Sequence, residues 1–284
     1  MHKSHALAIA FLITLLIALT VSFGDIQNSR ETITIERVID GDTFKSSDGR
    51  TFRLSNINTP EKDTPQARGA TEYLSLFIGH AVEVEMLGVD KYARFLVRVY
   101  APEYVNRELV ASGLAVKFLV DEEETTSFAA AESEAIAAQR GFWHRSEAAG
   151  CVSARIDPIK EKVTLTSTCG KINITHWYVR DESRKKYVFS ERSFETSRIL
   201  LSHTLPPASA GSNMDSRECS RTQACSVLQR GVLDMLVLST AKGADNETHV
   251  FWQSATPIWN NDRDTLYLFD ADGDLVIHVS YGYG

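Results

Sequence analysis

At 284 residues the chain has room for about two domains, and 43% hydrophobic with 24% charged residues excludes wholesale disorder and a coiled coil. The net charge of -7 argues against a protein that grips nucleic acid through a broad basic face, and residues 31–150 alone hold 20 acids against 13 bases.

The chain opens with a targeting segment. His2, Lys3 and His5 precede an unbroken apolar run from Ala6 to Val21, and Ser22-Phe23-Gly24 follows with small residues for cleavage. Met1 to Gly24 is read either as a cleaved signal peptide or as a membrane anchor retained through residues 6–23. In both cases the remainder is expected to be exported, secreted or held at the outer face of the cytoplasmic membrane.

Ile33 to Val38 alternates at period two and predicts a strand. Asp40-Gly41-Asp42 is a turn signal between β-favouring runs, so both aspartates should stand where a strand begins or bends. Asp48-Gly49 is a hairpin signal that returns Arg53 beside the first strand, and the chain breaks at Pro60 with Glu61 next. Pro65 to Ile78 carries Ala70, Tyr73, Leu74 and Phe77 at helical spacing, stopped by Gly79. Ala81–Met86 and Phe95–Tyr100 predict strands, and Val105–Ala115 and Ser127–Arg140 predict helices, the latter followed by packing residues Phe142 and Trp143. Glu122 to Glu124 reads as a solvated loop. Strands around a helix, with helices behind, suggest a small barrel flanked by helices.

The residue types point to phosphodiester chemistry. Oxygen ligands suited to a hard divalent cation lie within two dozen residues of a guanidinium suited to phosphate. As a fifth oxygen approaches phosphorus, a divalent ion and arginine forks neutralise the growing charge. A carboxylate near the attacking water serves as general base.

The run from Thr32 to about Trp143 resembles the thermonuclease, or staphylococcal-nuclease-like, family. The resemblance is carried in order by Val-Ile-Asp-Gly-Asp-Thr (38–43), Phe-Arg-Leu (52–54), Thr-Pro-Glu (59–61), Gly-Ala (69–70), Asp-Lys-Tyr-x-Arg (90–94) and Val-Asn-x-x-Leu-Val-x-x-Gly-Leu-Ala (105–115). It implies a five-stranded OB-fold barrel with flanking helices over 32–146 and calcium-dependent hydrolysis of DNA or RNA. By the same resemblance Asp42 is a direct metal ligand, Asp40 holds outer-shell waters, and Asn58 and the Thr59 carbonyl complete the set. Glu61 orients or deprotonates the water, Arg53 and Arg94 clamp the scissile phosphate, and Lys91 and Tyr92 touch a neighbouring phosphate or base. Three positions depart from the family pattern: Asn58 replaces an aspartate, Ala93 replaces a glycine, and 116–120 lacks the usual tyrosines. The Asn58 departure keeps a second reading open, a weakened nuclease-like domain that binds nucleic acid or protein at the cell surface.

Residues 147–157, with Ala148-Ala149-Gly150, are expected to form a linker, and 158–284 a second domain of alternating short strands suggesting a β-sandwich. Cysteines 151, 169, 219 and 225 are even in number, as fits an oxidising compartment, and Cys151–Cys169 with Cys219–Cys225 is the preferred pairing of three. Ile172 to Asp181, Tyr187-Val188-Phe189, Val250-Phe251-Trp252 and Pro257 to Asp274 resemble the lamin-tail domain. That resemblance implies an immunoglobulin-like sandwich that binds a surface or polymer and carries no catalysis. The insertion 206–230 and His176, where glycine is common, depart from it. Trp177, Trp252 and Trp259 are expected in packing, and Asp272-Gly273 as a hairpin turn.

Overall fold

The computed structural model describes residues 30–62, 64–194 and 235–283. The leader 1–24, the Cys219–Cys225 pairing and the insertion 206–230 lie outside the described residues. The chain divides into two compact units, Met1–Phe142 and Trp143–Gly284.

The first unit is a closed barrel of strands β1 (Arg30–Asp40), β2 (Thr43–Ser46), β3 (Thr51–Leu54), β6 (Phe95–Tyr100) and β5 (Ala81–Val89), in that order around the sheet. The β3–β6 contact is parallel and the others antiparallel. Alternation explains the closure: Ile33, Ile35, Phe44, Phe52, Leu54, Val82, Val84, Val97 and Val99 are all buried. Phe44 and Phe52 stack at 5.2 Å across β2 and β3. The barrel is flanked by α1 (Ala67–Ser75), α2 (Val105–Ala111) and α3 (Thr125–Ala137). Outside it, β4 (Ile57–Asn58) pairs antiparallel with β7 (Val116–Lys117).

The predicted Asp48-Gly49 turn is present, with Gly49 at φ 88° and its N–H donating to the Ser46 carbonyl. The glutamate run departs from expectation. Residues Glu122–Glu124 form one 3-10 turn, and Glu124 accepts from Arg98 Nε at 2.9 Å and from Asn56 Nδ2 at 2.5 Å. Arg98 also reaches Glu85 at 2.7 Å and Asp121 at 2.6 Å, so charge pairing outweighs solvation there.

The second unit holds two four-stranded sheets. One runs β12 (Lys186–Val188), β11 (Tyr178–Arg180), β16 (Asp264–Phe269), β17 (Leu275–Tyr281). The other runs β15 (His249–Phe251), β14 (Met235–Ser239), β9 (Lys162–Ser167), β8 (Val152–Asp157), with β14 and β15 parallel. A pair, β10 (Ile172–Asn173) and β13 (Ser193–Phe194), stands apart. Both large sheets feed one apolar cluster, Val163, Leu165, Leu236 and Leu238 from one and Val179, Leu266, Leu268 and Val276 from the other. Trp177 and Trp259 are buried in it and Trp252 packs against it. The β16–β17 turn contains Gly273 at φ 91°.

Two boundaries differ from expectation. Residues 152–157, expected in a linker, form β8, because Val152, Ala154 and Ile156 alternate inward onto the shared core. Trp143, expected to close the first domain, stacks on Tyr267 at 5.3 Å and on Phe269 at 6.2 Å in the second unit. His176 takes φ 64°, a left-handed conformation that glycine adopts without strain.

The Cys151–Cys169 disulfide closes a separation of 18 residues. Its replacement by two serines is expected to lower the second unit's stability by about 3 kcal/mol through the larger unfolded ensemble. Urea unfolding of the full chain followed by tryptophan fluorescence measures this, and an unchanged midpoint would contradict it.

Asp264 is 1% exposed and accepts from the backbone N–H of Thr265 at 2.8 Å and of Asn260 at 3.1 Å. Burial, then the charge of Asp181, push its carboxyl up to about 6 despite those donors. The native state therefore holds a proton that the unfolded chain releases near pH 4, and stability falls as pH rises between the two values. The loss is expected to be about 2–3 kcal/mol between pH 4 and 7. Asp264→Asn should flatten the slope even though its amide loses the bond from Asn260. A pH-independent denaturation midpoint would refute this.

Candidate active site

The site starts from the turn between β1 and β2. A register shift at Val38/Asp40 ends β1, and Asp40 pairs with Thr43, so Gly41 and Asp42 are thrown out of the ladder. Gly41 is needed for close approach: a Cβ there would sit 2.6 Å from Ala70 Cβ of α1 and 2.9 Å from Thr59.

Asp42, 4% exposed, is the hub. Its Oδ2 accepts from Thr59 N and Thr59 Oγ1, each at 3.2 Å, and lies 3.4 Å from Arg53 NH2. Its Oδ1 accepts from Thr43 Oγ1 at 3.0 Å, and its own N–H donates to Asp40 Oδ1 at 3.1 Å. Burial and the charge of Asp42 raise the Asp40 carboxyl above its ordinary range.

Arg53 stands opposite Thr43 in the β2–β3 ladder. Its NH1 donates to Leu54 O at 2.5 Å and Ile57 O at 3.2 Å, and its NH2 to Ile57 O and to Asn58 Oδ1. One guanidinium thus braces the loop that carries Asn58, which is 3% exposed. Arg94 joins through NH1 to Thr43 Oγ1 at 3.4 Å, while Asp90 holds it at 2.8 Å through Nε and 2.7 Å through NH2.

Asp40, Asp42, Arg53, Asn58, Thr59 and Arg94 therefore share one connected network. Glu61 lies exposed on the segment leaving Pro60, its carbonyl accepting from Thr64 N at 2.9 Å. Lys91 and Tyr92 lie on the exposed β5–β6 turn, with Lys91 Nζ 5.0 Å and Arg94 Cζ 5.4 Å from the Tyr92 ring centroid. Ala93 in that turn takes φ 60°, so the turn keeps a left-handed backbone without glycine.

Sequence reasoning missed the residues that hold this network from behind. Asn106, fully buried, donates from Nδ2 to Ser55 O and Val97 O, each at 2.9 Å, and accepts from Val99 N at 3.0 Å. Asn56, at φ 67°, accepts from Asp121 N at 3.2 Å and bonds Glu124. β7 supports Asn58 directly, and Lys117 of β7 pairs with Glu132 of α3, both almost fully buried. The only local signals were an asparagine in a helical run and an ionisable pair at otherwise apolar helix and strand positions.

The residues expected to hold a metal, Asp40, Asp42, Asn58 and Thr59, would offer it oxygen donors alone. That set fits a hard cation, and two mutually repelling carboxylates gain from one. It carries two acids, not three, and among the described residues no group of three or more His, Cys, Asp or Glu forms a metal cluster.

Comparison with known proteins agrees with the barrel. The family model described as staphylococcal nuclease homologue matches residues 51–145. Uncharacterized endonucleases of Escherichia coli O157:H7 and of Escherichia coli are each 37% identical over 117 residues, spanning 38% of this chain and 74% of theirs. Through this first unit, the chain belongs to the staphylococcal nuclease homologue family.

Proposed function

We propose that the protein is an exported, calcium-assisted nuclease hydrolysing phosphodiester bonds of DNA or RNA. The carrying observation is the connected network of Asp40, Asp42, Arg53, Asn58, Thr59 and Arg94 inside a nuclease-family domain. Asp42, Asn58 and the Thr59 carbonyl would hold the ion, with Asp40 behind them, and the ion supplies charge neutralisation at the phosphate. Arg94, tethered by Asp90 at the rim, meets a phosphate oxygen, and Arg53 keeps the ligand loop in place. Exposed Glu61 takes the proton of the attacking water. Lys91 and Tyr92, on their projecting turn, contact the next nucleotide.

Export rests on the apolar segment 6–21, which lies outside the described residues. The second unit, with two sheets around one core, supports the lamin-tail-like, immunoglobulin-like reading, a module that attaches the enzyme to a surface or polymer.

Asn58→Asp is the informative variant. It adds a third carboxylate, and ligand charge count sets calcium affinity, so the calcium needed for half-maximal cleavage should fall about tenfold. Cleavage of DNA and RNA in calcium, magnesium or chelator measures it. No shift would remove Asn58 from the ligand set, and intact substrate with a filled site would end the enzymatic reading. The Asn58 substitution also favours a second reading, a binding module without hydrolysis, which predicts affinity without cleavage, unchanged by Glu61→Gln.

A further inference from the structure

The first unit has no surplus of positive charge with which to hold a polyanion, its sequence carrying 19 acids against 12 bases over residues 31–142. The second unit carries a segment of opposite character. The hairpin of β11 and β12 spans Tyr178 to Val188 and contains Arg180, Arg184, Lys185 and Lys186 against Asp181 and Glu182. Both acids point inward, Asp181 being 1% and Glu182 2% exposed.

Their oxygens are engaged inside the fold. Asp181 accepts from Lys185 N at 2.7 Å and Ser183 Oγ at 2.6 Å, forming the turn. Glu182 accepts from Thr265 Oγ1 and from Tyr283 OH, each at 2.6 Å. Lys185 and Lys186 are left exposed on the outer side. The Lys185 side chain is 43% exposed, its Nζ 4.0 Å from Asp181 and donating to Pro257 O at 3.3 Å. Exposed Lys186 sets its Nζ 3.7 Å from the centre of the Tyr178 ring.

Burial, then the positive charge of Arg180, push the Lys186 ammonium below its usual range. An approaching anion relieves that repulsion. Asp270 and Asp274 act on Tyr178 at the Phe269 end of the sheet.

We infer that this hairpin docks the phosphate backbone of a polynucleotide through Lys185 and Lys186 beside Tyr178, an inference that rests on the nuclease reading of the first unit. Phosphate contacts of this kind give sequence-independent, salt-dependent capture.

The test compares the full chain with its Lys185→Glu/Lys186→Glu variant. The probe is a labelled single-stranded DNA of about 20 nucleotides, in chelator so that nothing is cut. Affinity at about 100 mM salt should fall about tenfold and the salt slope by about two, while Lys160→Glu/Lys162→Glu on another hairpin changes it under about twofold. With metal present, the docking variant should cleave the long strand more slowly but a dinucleotide at the wild-type rate. Unchanged DNA affinity, with aggregation instead, would mean that the lysines only guard a sheet edge and would overturn the inference. So would a loss confined to anionic vesicles. Failure of wild type to cut even the dinucleotide would sink the nuclease reading, leaving the DNA-binding comparison intact.

Discussion

Arg53→Ala is expected to reduce nucleic-acid cleavage by about 10²-fold, as misplacement of a site by the loss of a positioning group can. The guanidinium holds Leu54 O, Ile57 O and Asn58 Oδ1 and approaches Asp42 at 3.4 Å, so its loss frees the ligand loop and leaves a buried carboxylate with fewer donors. Arg53→Lys should recover little. An ammonium is a point charge and cannot span two carbonyls and an amide as a planar fork does. The fold should survive both changes, because Arg53 lies at the barrel end and the buried Phe44–Phe52 stack remains. Cleavage kinetics beside near-ultraviolet circular dichroism separate the effects. A variant cutting within a few-fold of wild type would remove Arg53 from the working site.

Glu132→Ala should have the largest effect on stability. Lys117 and Glu132 side chains are 1% and 2% exposed, and the carboxylate bonds both the Lys117 ammonium and its backbone N–H, the latter at 3.1 Å. Removing the acid takes the carboxylate partner from a buried cation, a destabilisation of about 3–5 kcal/mol. Against a typical total of about 5–15 kcal/mol, that unfolds the first unit under mild denaturant. Lys117→Met/Glu132→Leu should restore most of the stability, since an apolar pair of similar volume needs no desolvation of charge. Urea unfolding of the three proteins is the measurement, and a loss below about 1 kcal/mol for Glu132→Ala would contradict the buried-pair argument. Cleavage should track the folded fraction, because β7 carries the strand partner of Asn58.

Local features were legible before any coordinates. Asp40-Gly41-Asp42 and Asp48-Gly49 announce their turns through residues adjacent in sequence, and the β-favouring run Phe95–Tyr100 is bounded as expected. The helices were placed by apolar spacing, but each is shorter than expected; Pro65–Ile78 became Ala67–Ser75, since terminal turns fray into tighter bonds. What could not be read was contact between distant segments. β4 and β7 are two residues each, too short for any period, and exist because Ile57 meets Lys117 and Asn58 meets Val116. Glu124 looked like one solvated acid in three until Arg98, 26 residues away, supplied its partner. Val152–Asp157 was hidden by the small residues before it, although its own alternation is regular.

The β4–β7 pairing also dictates an order of assembly. Asn58 gains its neighbour only after some sixty further residues have been synthesised, and Lys117 is neutralised only once the helix bearing Glu132 has formed. A nascent chain or a fragment ending before that helix can own every acid and arginine of the centre and still lack the scaffold that aligns them. Competence thus arrives late in folding, through closure of a long loop rather than through the hairpin that advertises it.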